Sequence, residues 1–400
     1  MRIALLKQVK DLGINRHIFA FKSLLREKGA EVEEFDLSEG ELQEVVNRLL
    51  AFSPTFALDI NGSCILFGER EGERLFLPDA FGFVHVSLFT EEPLFHFPTL
   101  LDLRQVNNFL PVVTDLKYAE SLKFLGHERG TFYITPFLDP AQMPQPSEDK
   151  DIELVFLGPV VDPDIVARQV VGNLKEDFVA YFFEVAEFLF RNPEVHLLHA
   201  GDYILSMFNQ SFQEEFTKWK QENPQGYYRL LNDISFYATA KKRWYILSFL
   251  EGISLKIVGL FEGVLKQGHE HVNVQSWEEA LQVLGRSYMT LMSFPHAVPT
   301  GIGFVPLEVA YMESAPLIDL RATLPGFFSV GSEVIDYLPL DRADIEEKLL
   351  YYLENLEQAR EIGRKARERV LQNFGPRDRA EFFYGVLQNI FSQAQQNATG

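Results

Sequence analysis

The feature that most constrains this chain is the spacing of its short apolar runs. Ile3–Leu6 is one such run. The loop Lys7–Gly13 follows, then an amphipathic helix carrying Ile18, Phe19, Phe21, Leu24 and Leu25. Gly29 closes that helix, and Val32–Phe35 is the next run. Strand, helix and strand within about 35 residues make a βαβ unit, whose crossover requires parallel strands. The rhythm continues with a helix over Glu41–Ala51 and strands at Phe56–Ile60, Phe83–Phe89 and Phe109–Thr114. Lys117–Leu125 reads as a helix closed by Gly126, and Phe132–Ile134 as a last short strand.

A composition shift then interrupts the pattern. Asp139–Asp151 carries three prolines and no periodic apolar residues, which marks a linker. After it, Ile152–Leu157 is a strand followed by Gly158-Pro159. The stretch from Phe178 to Glu251 is mostly helical and rich in Phe and Tyr. Leu255–Leu260, Val272–Val274, Tyr288–Ser293 and Pro316–Leu320 read as strands. Leu307–Glu313, Ala343–Leu353, Leu356–Asn373 and Glu381–Ser392 read as helices. The expected organisation is an N-terminal α/β domain over 1–140 and a linker over 141–151. A second α/β domain over 152–375 carries a helical insertion at about 178–250. A C-terminal helix and frayed tail, 376–400, packs back on the first domain. Two parallel-sheet domains predict a cleft, with ligands outside the carboxyl ends of the strands.

Composition narrows the function. The chain has 400 residues and a formal net charge of −20, from 37 Lys and Arg against 57 Asp and Glu. Such an acidic chain repels a phosphate backbone or an anionic lipid surface, so neither nucleic acid nor membrane is an expected partner. No run reaches 18 uninterrupted apolar residues, which argues against integral membrane association, and the N-terminal run is too short for a signal peptide. The single cysteine, Cys64, fits a reducing cytoplasm. The pairs His196/His199 and His269/His271 lack the flanking ligands of a zinc site, so no metal or cofactor is expected. Hydrolase elbows, phosphate-binding Gly-Lys-Ser/Thr loops and a dinucleotide glycine fingerprint are all missing.

The most informative segment is Pro299–Asp319. Gly301 and Gly303 form a loop that a ligand can approach closely. Pro306 suits a first helical turn, and Glu308 falls in that turn. A helix start receives phosphate, and a carboxylate there can accept two hydrogen bonds from a ribose diol. The plainer reading, favoured on pattern alone, is that Glu308 complements the helix dipole.

The same segment resembles the donor-binding region of GT-B glycosyltransferases, and more closely that of the CgeB-type (spore maturation protein B-like) family. The resemblance runs in order through Leu307-Glu308, Ser314–Pro316, Leu317–Asp319, Phe328–Glu333, Tyr351–Leu353 and Ile362–Arg369, within about the last 100 residues of the sequence. Thr90–Pro93 and Leu110–Gly126 match the N-terminal half more loosely. Where the family has arginine before the glutamate, this chain has Val305. Where retaining enzymes have a second acid, it has Thr300. The two-glutamate signature is therefore incomplete, and the stereochemistry stays open.

The resemblance implies two Rossmann-like parallel-sheet domains facing a cleft, and a nucleotide-sugar donor held by the C-terminal one. It implies transfer to a protein or glycan acceptor without a metal. Glu308 would hold the ribose, with Gly158, Gly301 and Gly303 exposing main-chain amides. Lys241, Lys242, Arg243, Lys256 and Arg321 are the cations available to offset a leaving diphosphate. The base candidates are Glu91, then Asp59, with His17 read as opening the first helix. The aromatic stretch Tyr181–Tyr245 reads first as helix packing, otherwise as an acceptor surface or a homodimer contact. Two rival readings are a non-catalytic binding protein of the same fold and a nucleotide-sugar epimerase.

Overall fold

The computed structural model describes residues 1–7 and 12–399, with side chains except at 12–14 and 394–399. The chain divides into two compact units. Unit 1 comprises Met1–Met143 together with Phe374–Gly400, and unit 2 comprises Pro144–Asn373.

Unit 1 runs β1 (Arg2–Lys7), α1 (Leu12–Phe19), α2 (Lys22–Glu27), β2 (Glu31–Asp36), α3 (Leu42–Phe52), β3 (Phe56–Ile60), β4 (Phe67–Arg70), β5 (Glu73–Phe76), α4 (Leu77–Phe81), β6 (Val84–Phe89), α5 (Phe97–Asp102), β7 (Phe109–Val113), α6 (Tyr118–Phe124) and β8 (Phe132–Tyr133). Six of these strands form one parallel sheet in the order β2-β1-β3-β6-β7-β8. The central strands β3 and β7 are buried along their whole length. Parallel strands covered on both faces read as near-continuous apolar runs, which is why the sequence pattern shows them.

Unit 2 runs β9 (Ile152–Leu157), β10 (Val160–Val161), α7 (Pro163–Val171), α8 (Glu176–Arg191), α9 (Leu197–Leu205), α10 (Gln210–Glu222), α11 (Pro224–Phe249), β11 (Leu255–Val258), β12 (Phe261–Glu262), β13 (His269–Val272), α12 (Trp277–Gly285), β14 (Ser287–Met292), α13 (Val305–Tyr311), β15 (Ala315–Asp319), β16 (Ile335–Tyr337), α14 (Arg342–Glu354) and α15 (Leu356–Asn373). Its six-stranded sheet is also parallel throughout, in the order β13-β11-β9-β14-β15-β16. One core joins Leu154, Phe156, Ile257, Leu291 and Leu317 of the sheet to Ile246 and Leu250 near the end of α11 and to Leu349 and Ile362 of α14 and α15. Gly363 lets α15 lie close. A β-carbon there would sit 2.4 Å from the Glu313 carbonyl oxygen.

A last helix, α16 (Arg377–Thr399), belongs to unit 1. Phe383 stacks on Phe21, with ring centroids 5.6 Å apart, and Phe21 stacks on Phe137 at 4.7 Å. Leu138 donates its N–H to the Phe374 carbonyl at 2.8 Å. Among the described residues, no helix is long and apolar enough to cross a membrane.

Several elements differ from expectation. The first helix is two helices, separated by a tight turn in which the Phe21 N–H bonds the Ile18 carbonyl. The helix begins at Leu12, so His17 sits in its last turn rather than opening it. Of the expected Lys7–Gly13 loop, residues 8–11 lie outside the described residues. The strand expected at Val272–Val274 is shifted to His269–Val272, where His269 pairs with Leu255. The antiparallel β4–β5 hairpin, the β10–β12 pair and the edge strand β16 had not been anticipated.

Candidate functional site

In unit 2, four parallel strands end side by side: β11, β9, β14 and β15. Gly158 follows β9 and Gly259 follows β11, with φ of +127° and +120°. Only glycine takes this backbone region without strain. The two loops touch, since a β-carbon at Gly259 would lie 3.1 Å from the Gly158 carbonyl. A β-carbon at Gly158 would lie 3.2 Å from Arg243 Nη1. Gly158 therefore shapes the seat of a guanidinium.

That guanidinium comes from the C-terminal third of α11. Arg243 donates from Nε and Nη2 to the Ser293 carbonyl (3.1 and 2.8 Å) and from Nη1 to the Pro159 carbonyl (2.8 Å). It thereby ties the loop after β9 to the loop after β14. Its neighbour Lys242 donates to the Phe294 carbonyl and to Asp319 Oδ2, each at 2.6 Å. Asp319 ends β15, and its other oxygen accepts from the Tyr337 hydroxyl at 2.6 Å. Arg321, just beyond β15, donates to the Val298 and Gly301 carbonyls and lies 4.0 Å over the Phe294 ring.

Lys242, Arg243, Asp319 and Arg321 are all buried. Burial pulls the Lys242 ammonium down to about 8, although Asp319 opposes it, and pulls Arg243 down to about 10. His296 completes the cluster. It is 6% exposed, and its own N–H donates to Thr239 Oγ1 at 3.1 Å. Among the described residues, neither ring nitrogen has a hydrogen-bond partner. Burial first, then Lys242, Arg321 and Arg243, hold the ring well below the ordinary histidine value, so it is neutral.

The other donor-side candidates fall as follows. Glu308 is buried in the first turn of α13, Gly301 supplies a carbonyl to Arg321, and Gly303 has φ +63°. Lys241 departs from the cluster. It pairs with Glu187 of α8 and stands 4.7 Å from the Phe190 ring centroid, because one residue turns the helix by 100° away from Lys242. Lys256 pairs with Glu270 at 2.8 Å. The aromatic stretch packs internally, with Phe178 and Tyr181 each in ring contact with Phe212 and Phe216.

In unit 1, Glu91 is half exposed, 3.5 Å from His96 Nε2. Asp59 is a correction as a base. It is fully buried, accepts from the Ser87 hydroxyl at 2.5 Å and the Cys64 N–H at 2.7 Å, and lies 3.1 Å from His85 Nε2. Its oxygens knit β3 to β6 and are closed to an acceptor. His17 is buried, meets Phe137 edge-on at 6.3 Å, and is held neutral by burial and Arg16.

Sequence reasoning missed His296, Asp319 and Tyr337 as members of one cluster. For Asp319 and Tyr337 the available signal was a polar residue closing a strand at its carboxyl end.

A family model described as glycosyl transferase-like matches residues 242–385, beginning at Lys242. An uncharacterized protein of Aquifex aeolicus is 41% identical over 401 residues, covering 100% of this chain and 99% of the relative. Among solved structures, an α-glucosyltransferase (AGT) in complex with UDP superposes with TM-score 0.55 at 10% identity, covering 97% of this chain and 100% of that one. Sucrose-phosphate synthase from Thermosynechococcus elongatus superposes with TM-score 0.52 at 12% identity, covering 98% and 100%. AviGT4, a glycosyltransferase involved in avilamycin A biosynthesis, gives 0.52 at 14%, covering 98% of each chain. The fold of this chain is the GT-B fold, and the chain, whose residues 242–385 match a glycosyl transferase-like model, belongs to one family with the A. aeolicus protein.

Proposed function

We propose that this protein is a glycosyltransferase of the CgeB-type kind, moving a sugar from a nucleotide-sugar donor to a protein or glycan acceptor. The observation that carries the reading is the gathering of Lys242, Arg243 and Arg321 at the carboxyl ends of the unit 2 strands. When the glycosidic bond to the donor phosphate breaks, negative charge grows on the leaving diphosphate. Fixed cations in a dry setting stabilise it there far better than solvent does. The three basic side chains do this work in the proposal, so no metal ion is invoked.

Glu308 takes the ribose hydroxyls, and the glycine turns at Gly158, Gly301 and Gly303 bring main chain close to the donor. Glu91, the exposed carboxylate of the three base candidates, accepts the acceptor's proton. UDP is the first nucleotide to try, because the α-glucosyltransferase of similar fold was solved with it. The test is donor hydrolysis across a panel of nucleotide sugars, repeated with Glu308→Ala. Turnover that collapses in the variant supports the assignment, and equal turnover removes Glu308 from the site. A donor-only incubation that yields an isomerised sugar nucleotide instead would identify an epimerase.

A further inference from the structure

We propose that His296 is a phosphate-binding residue, donating a ring N–H to a phosphate oxygen of the donor and thereby making unit 2 favour ligands that carry a diphosphate. The inference rests on the nucleotide-sugar reading above and adds to it a residue that no motif of the sequence marks.

His296 lies four residues past the end of β14, on a loop anchored by its own N–H to Thr239 of α11. The main chain is thus pinned, yet both ring nitrogens are buried with no hydrogen-bond partner among the described residues. Leaving a buried donor or acceptor without a partner carries its full desolvation penalty, so such a group signals a partner that arrives later.

The surroundings say what kind of partner. The neighbouring basic groups act on the ring electrostatically, yet their donors are directed at main-chain carbonyls and Asp319. Charging the ring would add a further cation beside Lys242, Arg243 and Arg321, and burial opposes it as well. A neutral imidazole keeps one N–H to give. A positive local potential with an unspent N–H selects an oxyanion over a neutral or cationic group. Phosphate oxygens are such acceptors, and a diphosphate presents them on two phosphorus centres.

Calorimetry on the full chain, with inorganic pyrophosphate, UDP and uridine as probes, tests this. Expected is a loss of about tenfold or more in pyrophosphate and UDP affinity in His296→Ala, the range for a hydrogen bond to a charged group, with uridine unaffected. His296→Asn, which retains an N–H donor, should recover part of the loss. As a second readout independent of mutation, the imidazole nitrogen resonances of wild-type His296 should shift on adding pyrophosphate. Unchanged UDP affinity in the alanine variant, an equal loss for UDP and uridine, or unmoved resonances with pyrophosphate bound would each overturn the role of His296 while leaving the donor reading intact. A wild-type protein that binds neither pyrophosphate nor any nucleoside diphosphate would overturn the donor reading as well.

Discussion

Lys242 Nζ stands 2.6 Å from Asp319 Oδ2, and the two side chains are only 1% and 3% exposed. The pair joins the C-terminal third of α11 to the end of β15 through the interior of unit 2. Breaking one side of a buried ion pair leaves a charge that nothing compensates, at about 3–5 kcal/mol. Lys242→Met should therefore lower the urea-unfolding free energy by that order. The double variant Lys242→Met/Asp319→Leu should regain much of it, since neither charge is then left buried alone.

Stability should also fall in mild acid. His17, His127 and His296 all have values lowered by burial. Below about pH 6.5 the unfolded chain takes up protons at these rings that the folded chain declines, so the unfolded state gains as pH drops. Urea midpoints measured at pH 7 and pH 5 should show the decline, and His296→Gln should show a smaller one. An equal drop in both proteins would mean that His296 is charged in the folded state.

Gly158→Ala should act on the Arg243 seat. The backbone angle of +127° strains any other residue by about 1–3 kcal/mol, and the added carbon meets Arg243 Nη1 at 3.2 Å. Thermal unfolding should move down. Donor KM should rise, because the guanidinium must leave the Ser293 and Pro159 carbonyls or crowd the new methyl group.

A different crowding limits α15. At Gly363 a methyl group would meet the Glu313 carbonyl oxygen at 2.4 Å and the Ala315 N at 3.2 Å, both main-chain atoms that cannot rotate away. Gly363→Ala should destabilise unit 2 by about 1–3 kcal/mol, as overpacking does. Calorimetric melting measures it directly.

The sheets were legible because their central strands are buried on both faces and so appear as mostly apolar runs, as at Phe56–Ile60, interrupted by Asp59, and at Ala315–Asp319, apolar up to its last residue. Edge and two-residue strands lack that signature, which explains the displaced β13 and the unforeseen β16, β10 and β12. The basic triplet on α11 was legible as a cluster but not in its orientation. That helix buries residues around much of its circumference, among them Tyr227, Ile234, Ala240 and Phe249, so no single stripe fixes its rotation. Lys241 and Lys242 consequently point to different partners. His296 escaped notice because what singles it out is a missing contact, which only three-dimensional packing reveals.

The assignment of α16 to unit 1 has a consequence for biosynthesis. A nascent polypeptide on the ribosome completes residues 144–373 while the stretch bearing Phe374 and Phe383 is still unmade. The stacked surface of Phe21 and the main-chain N–H of Leu138 must wait for it. The central, contiguous portion can mature first, and the portion begun earliest is sealed last. Deleting the final helix should therefore yield chains prone to chaperone capture, even though every residue of the glycosyl transferase-like strands remains present.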